Sequence, residues 1–384
     1  MKLTINHDDL AAVVADTARA LPARPPAPVL AALKLAATDG TLTAAGFDYE
    51  VSGEATVKAD VTEPGTVLVS GRLLADITRA LKPKHQIHMT ADDSRLIVNS
   101  GATRYTLPTL PLEEYPALPS TGEPTGTVTG PTLAEAVAQV ATAAGRDDTL
   151  PVLTGIQLTL ADGKLTLAAT DRYRFAVRTI GWNAIDPSID TAQALVPARS
   201  LTETVKMLAD TDHIRVTLPG PTGVLGLADP SHATTARVID GQLPEHRKLW
   251  PTRDSINATV IVDTDELTAA VKRVALVVGA NRVLQLTATN GALSLQAGAS
   301  DEAQAVDTLD AQYDGGREAF TIAFNPTFLL DGITALGAPK TVLWMTERTR
   351  PALLTGADSN VNLTELTLGC DELQYLLMPI RLSS

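Results

Sequence analysis

Cysteine is nearly missing from this chain: Cys370 is the single one among 384 residues. That excludes internal disulfides and any multi-cysteine metal site, and it fits a reducing cytoplasm. Cys370 itself reads as a small buried hydrophobe. Long apolar runs are also lacking, and none approaches a membrane-spanning length. The opening segment MKLTINHDDL carries acids and no apolar stretch leading to a small-residue cleavage site, so it does not read as a signal peptide. No glycine-rich loop with Lys-Ser or Lys-Thr is present, which argues against ATP use. His85 and His88 stand three apart without the further His or acid that a zinc motif needs, and they read as solvent-facing turn residues. Asp171, flanked by Arg172 and Arg174, has no accompanying nucleophile and reads as a hairpin acid held by a neighbouring arginine. These gaps leave no visible catalytic residue, no metal site and no cofactor site.

What is present is a globular composition, 45% hydrophobic and 20% charged, long enough for two or three cores. The net charge of −13 at first opposes nucleic-acid binding, which runs on clustered Lys and Arg. Its distribution is uneven. Basic against acidic residues number 11 to 15 over 1–125, 12 to 13 over 126–253 and 8 to 16 over 254–384. An acidic last third lets one end of the molecule attract the other end of a second copy, or simply keeps the surface soluble.

The chain repeats itself three times. A turn entering an alternating strand occurs at Asp39-Gly40-Thr41-Leu42-Thr43, at Asp162-Gly163-Lys164-Leu165-Thr166 and at Asn290-Gly291-Ala292-Leu293-Ser294, each a hairpin signal. An apolar strand runs into a helix at Val67-Leu68-Val69-Ser70-Gly71, at Leu195-Val196-Pro197-Ala198 and at Ile322-Ala323-Phe324-Asn325-Pro326, with small polar residues or proline where the helix begins. An earlier amphipathic helix in each unit carries Leu10, Val13 and Val14, then Leu133, Val137 and Val140, then Leu267, Val271 and Val274. The turns are offset by 123 and then 128 residues, and Val69, Val196 and Phe324 by 127 and then 128. A period this long means tandem domains with their own cores, not a solenoid. Clusters of Pro, Gly and Thr between Leu118 and Gly126 and between Trp250 and Asp254 place the boundaries, giving domains 1–125, 126–253 and 254–384. The expected class is α+β, with two helices packed on antiparallel sheets in each copy.

Local motifs agree along the whole length. Arg24-Pro25 followed by Pro28-Val29-Leu30, the segment Ala169-Thr170-Asp171-Arg172-Tyr173-Arg174-Phe175-Ala176, Asp240-Gly241-Gln242-Leu243-Pro244, and the ending Tyr375-Leu376-Leu377-Met378-Pro379-Ile380-Arg381-Leu382 occur in order at fitting spacing. Together they resemble the bacterial DNA polymerase III beta subunit family, the DNA sliding clamps. The resemblance implies a non-enzymatic, cytoplasmic processivity factor, in which two three-domain chains close head to tail into a six-domain ring. Helices would line the hole, duplex DNA would thread it without sequence preference, and the partners would be the polymerase III alpha subunit, the clamp loader and other clamp-binding-motif proteins. A ring holds DNA by topology, so few basic residues are needed.

The same resemblance implies the site residues. For DNA these are Arg24, Arg72, Arg146 and Arg199. The helix starting near Asn325 carries Asp331 and no basic residue, which would make the bore uneven. For a partner-peptide pocket they are Leu153, Thr170, Tyr173, Arg174, Phe175, Pro244, Leu249, Thr349, Pro351, Leu376, Leu377, Met378, Pro379, Ile380 and Arg381, with Arg174 and Arg381 at the rim. Family members usually have Gly-His where this chain has Arg172-Tyr173, so the groove is expected to be narrower. For ring closure they are Leu276 and Val277, with Asp301 and Asp307 facing Arg95 and Arg104 of the other copy. Two other classes stay open: a specialised second clamp serving repair or inhibitor tolerance, and a peptide-binding scaffold that does not encircle DNA.

Overall fold

A computed structural model describes residues 1–92, 94–219, 223–245, 247–278, 283–298, 303–368 and 373–381. Cys370 and Asp301 lie outside the described residues. The chain divides into two compact units, Met1–Ala134 with Trp182–Val238, and Glu135–Gly181 with Ile239–Ser384. Six α-helices are described: α1 (His7–Ala18), α2 (Gly71–Ala80), α3 (Gly130–Ala141), α4 (Ala198–Lys206), α5 (Thr264–Val274) and α6 (Pro326–Leu336). The apolar residues at helical spacing in α1, α3 and α5 are all buried, none more than 1% exposed. None of the described helices is long and apolar enough to cross a membrane.

The three turn signals are two-residue hairpin loops. Thr38 pairs with Thr41, Ala161 with Lys164 and Thr289 with Ala292. Asp39 and Gly40 (φ 47° and 75°), like Asp162 and Gly163 (53° and 68°), take the double left-handed geometry that matches strand twist. The three second helices begin differently from one another. The Asn325 side chain accepts the Thr327 amide at the start of α6, whereas Ser70 and Pro197 provide no side-chain cap to α2 and α4.

In the first unit fourteen strands form one antiparallel sheet among the described residues. The fourth strand of the first repeat, Val51–Lys58, takes the last strand of the second repeat, His232–Arg237, as its neighbour, with Val51 opposite Ala236 and Ala55 opposite His232. In the second unit the same rule holds one repeat later: Arg174–Gly181 takes Gln374–Leu377, with Arg174 opposite Leu377 and Phe175 opposite Leu376. Sheet pairing between consecutive repeats is thus part of each unit's core.

The first unit also carries an ionic contact between its repeats. His232 lies with Nδ1 3.2 Å from Asp229 and Nε2 3.6 Å from Asp16 on α1, while Arg19 reaches Glu203 on α4 at 3.4 Å and Asp16 at 3.8 Å. The Asp16 carboxylate raises the His232 pKa above its ordinary 6.5 against the effect of burial, and Asp229 adds to the rise. A raised histidine pKa contributes stability that is present below the unfolded value and lost as pH climbs through the folded one. Relative to His232→Gln, the native chain is therefore expected to be more stable by about 1 kcal/mol at mildly acidic pH, with the advantage vanishing at alkaline pH. Urea denaturation of both proteins across that window checks it.

Candidate functional site

Strand Lys164–Thr170 and strand Arg174–Gly181 are joined by a turn that sorts two side chains in opposite directions. Asp171 accepts the Tyr173 amide (3.0 Å) and the Arg174 amide (3.1 Å) on one oxygen and Arg174 Nε (2.8 Å) on the other. Thr170 Oγ1 donates to the Arg174 carbonyl at 2.6 Å and accepts the Arg172 amide at 3.2 Å, and Arg172 sits in the left-handed region at φ 79°. The result leaves Tyr173 54% exposed and Arg174 only 6% exposed. The hairpin-acid reading of Asp171 matches this geometry, with Arg174 as the arginine that holds it.

Arg174 is not at the rim. Its guanidinium is spent inside the protein: Nη1 donates to Asp331 and to the Tyr375 hydroxyl, and its carbon lies 4.5 Å from the centre of the Phe328 ring. Burial by itself would lower the Arg174 pKa, but Tyr375, Asp331 and Asp171 outweigh it and hold the charge firmly. The Tyr375 hydroxyl donates in turn to the Phe328 carbonyl at 3.2 Å, and burial drives its pKa upward. Asp331, expected to make a DNA bore uneven, instead has its carboxylate committed to Arg174. Buried charges are tolerated when paired and hydrogen-bonded in this way.

Above this network opens a cleft of about 370 Å³, whose lining includes Arg146, Leu150, Leu153, Tyr173, Phe328 and Asp331. Leu153, Tyr173 and Arg174 are the anticipated pocket residues that line it. Arg146, assigned to DNA from the sequence, lines the cleft as well. Leu150, Arg172, Phe328 and Asp331 were missed; Phe328 carried a legible signal, since it follows the repeated strand-to-helix junction at Phe324. Of the other anticipated walls, Thr170, Phe175, Leu376 and Leu377 are buried, and Phe175 meets Trp250 edge-on at 5.5 Å. Met378 is 40% exposed, its amide donating to the Tyr173 carbonyl at 2.8 Å, and the Ile380 amide donates to Ala323 at 2.7 Å. Pro379 and Pro351 are half-buried, while Pro244, Leu249, Thr349 and Arg381 are exposed. Among the described residues no group of three or more His, Cys, Asp or Glu is arranged to hold a metal.

The remaining candidate arginines lie in the first unit. Arg24, Arg72 and Arg199 are exposed. Arg72 donates through Nη2 to the carbonyls of Pro22 (2.9 Å) and Ala23 (3.0 Å), fastening the loop that carries Arg24.

Among the described residues, two sheet edges are left open where the repeat rule runs out. Residues 305–310 of strand Ala305–Asp314 pair with Ala292–Ala297 on one side, and only 311–314 pair with Ala258–Asp263 on the other. Residues 103–108 of strand Thr103–Leu110 pair with Arg95–Ser100, and only Thr109 and Leu110 find the strand Gly65–Ser70. Arg95 and Arg104 are exposed beside the second edge. Leu276 is 85% exposed and Val277 half-buried after α5. Asp307, anticipated to face another copy's arginine, is held in its own unit by Arg273 through Nη2 (2.6 Å) and Nε (2.8 Å).

Three family models match in tandem: the N-terminal domain of the DNA polymerase III beta subunit over residues 1–119, its central domain over 127–245 and its C-terminal domain over 247–369. The chain belongs to the DNA polymerase III beta subunit family. It is 49% identical to the beta sliding clamp of Streptomyces coelicolor, with 100% of both chains covered, and 39% identical to the beta sliding clamp homolog GriR of Streptomyces muensis, with 99% of both covered. Its fold is similar to the crystal structure of a Pseudomonas aeruginosa DnaN sliding clamp bound to griselimycin, with a TM-score of 0.89 at 26% identity over 100% of both chains. A sliding clamp with this Tyr173 turn presents its cleft within one compact unit, so the cleft does not depend on a second copy.

Proposed function

We propose that two copies of this sliding clamp close head to tail around duplex DNA and tether the replicative polymerase to it. The carrying observation is the repeat rule at the sheet edges. The fourth strand of each of the first two repeats takes the last strand of the next repeat, at Val51–Lys58 with His232–Arg237 and at Arg174–Gly181 with Gln374–Leu377. Continuing the rule joins the free edge at 305–310 to the free edge at 103–108 of a second copy, because unpaired backbone groups on a strand edge favour pairing.

A side-chain register supports the same contact. Glu203 stands seven residues after Val196 and meets Arg19 of the preceding repeat; Asp331 stands seven after Phe324 and meets Arg174 of the preceding repeat. Asp76 stands seven after Val69, is 66% exposed, and pairs only with Arg79 on its own helix among the described residues. Its repeat has no predecessor in the same chain. Contacts of this head-to-tail kind close into rings when the rotation permits.

In this reading the repeats are domains 1–125, 126–253 and 254–384. Arg24, Arg72 and Arg199 meet DNA phosphates weakly enough to slide, and Leu276 and Val277 pack across the ring joint. The groove beside Tyr173 takes short peptides of the polymerase III alpha subunit, the clamp loader and other partners, with Leu and aromatic anchors. The protein is a non-catalytic, cytoplasmic processivity factor. A specialised clamp is the second reading, favoured by the 39% identity to a relative named as a clamp homolog.

The test is retention on circular duplex DNA with a clamp loader, in salt high enough to remove ordinary phosphate binding. Retention that vanishes on linearising the circle is the expected result. Salt-sensitive binding indifferent to cutting would make the protein a groove binder, and no retention would favour the scaffold.

A further inference from the structure

Each joint between consecutive repeats carries a cation set between an acid of its own repeat and an acid on a helix of the neighbouring one. Where the second repeat meets the third, the cation is Arg174, between Asp171 and Asp331 on α6. Where the first meets the second, it is His232, between Asp229 and Asp16 on α1. A guanidinium stays charged throughout, whereas an imidazole gains or loses its proton near neutrality. The two joints therefore answer differently to pH.

Charge also decides how many acids His232 can serve. An imidazolium donates from both ring nitrogens, but a neutral imidazole donates from one and turns a lone pair toward the other acid. Asp229 is satisfied without the ring, accepting the Ser231 and His232 amides at 2.6 Å each and the Thr211 hydroxyl at 2.8 Å. Asp16 is not. Among the described residues its only other cation is Arg19, 3.8 Å away and shared with Glu203, which Lys206 also engages. Arg215 reaches the carbonyl of Asp229 rather than its carboxylate, and Glu54, opposite Ala233, lies on the other face of the sheet from His232.

We infer that His232 is a proton-operated latch between the first two repeats: charged, it fastens α1 to the strand His232–Arg237, and neutral, it releases Asp16 and lets the pairing across this joint open more often. The carboxylates raise the histidine pKa, so the latch is fastened below the folded pKa and released as pH climbs through it. One charge-assisted contact of this partly exposed kind shifts the opening equilibrium by about fivefold.

Backbone hydrogen exchange in the full-length protein reads the joint directly. The Thr56 amide donates to the Ser231 carbonyl and the Arg237 amide to the Glu50 carbonyl, both at 2.8 Å and both across the joint. Corrected for the intrinsic pH dependence of exchange, their protection is expected to fall about fivefold from mildly acidic to alkaline pH. It should stay below that of Met89, which lies between two strands of the first repeat. The Met378 amide, which donates to the Tyr173 carbonyl across the Arg174 joint, should show no such step. His232→Gln and Asp16→Asn should each remove the step at Thr56 and Arg237. No step in the native protein, a step that survives in either variant, or an equal step at Met378 would overturn the latch. Protection of Thr56 and Arg237 equal to that of Met89 would overturn it too, because the joint would then open only with its whole unit.

Discussion

Leu276→Asp is expected to leave the chain folded and yet abolish its retention on circular DNA. At 85% exposure the side chain contributes little to the unit that carries it, so the stability of the monomer should change by no more than about 0.5 kcal/mol. A joint between copies changes the account. Burying a leucine is worth about 1.5–3 kcal/mol, and two chains joined head to tail bury it twice. An aspartate adds the cost of a carboxylate moved out of water without a partner. Since about 1.4 kcal/mol is tenfold in an equilibrium constant, dimer dissociation should increase by at least roughly 100-fold. Sedimentation equilibrium gives the dimer constant, a thermal melt gives the fold, and loader-dependent retention gives the function. An unchanged dimer would remove Leu276 from the joint.

Arg174→Ala is expected to give the largest loss of stability, about 3–5 kcal/mol, the range for breaking a buried ion pair from one side. The guanidinium satisfies Asp171, Asp331 and the Tyr375 hydroxyl together and covers the Phe328 ring. Its removal leaves the half-buried Asp331 facing a cavity and frees the turn that presents Tyr173. Denaturant titration should therefore show a lower midpoint. Arg174→Lys recovers a charge but not the fork that reaches two carboxylates, so it should restore only part of the loss. An effect below about 1 kcal/mol would mean that the network is solvated in solution.

Much of this protein is written locally, and that part was legible without coordinates. Hairpin chemistry at Asp39-Gly40 and Asp162-Gly163 involves adjacent residues, and the buried stripes of α1, α3 and α5 follow from helical periodicity. The 127-residue repeat needs only comparison of the chain with itself. From these and the ordered motifs came the α+β class, the three repeats and the family. Composition alone left the net charge of −13 unexplained; the ring implied by the resemblance is what makes an acidic chain compatible with DNA.

Tertiary structure decided what each charge does. Arg174 and Asp331 are 157 residues apart, and no local pattern tells that the acid on α6 neutralises the arginine of a distant turn. Asp307 is met by Arg273 in its own unit, and Arg146 lines the cleft; neither placement is visible in the sequence. The stack of Tyr173 on Phe328 likewise joins two segments that share no periodicity. Repetition and periodicity are properties of neighbours along the chain, so the sequence by itself determined the domains and the family. Pairing of charges and rings depends on which segments the fold brings together, so only the tertiary structure decided which arginine is buried, which acid is spent and which rings stack.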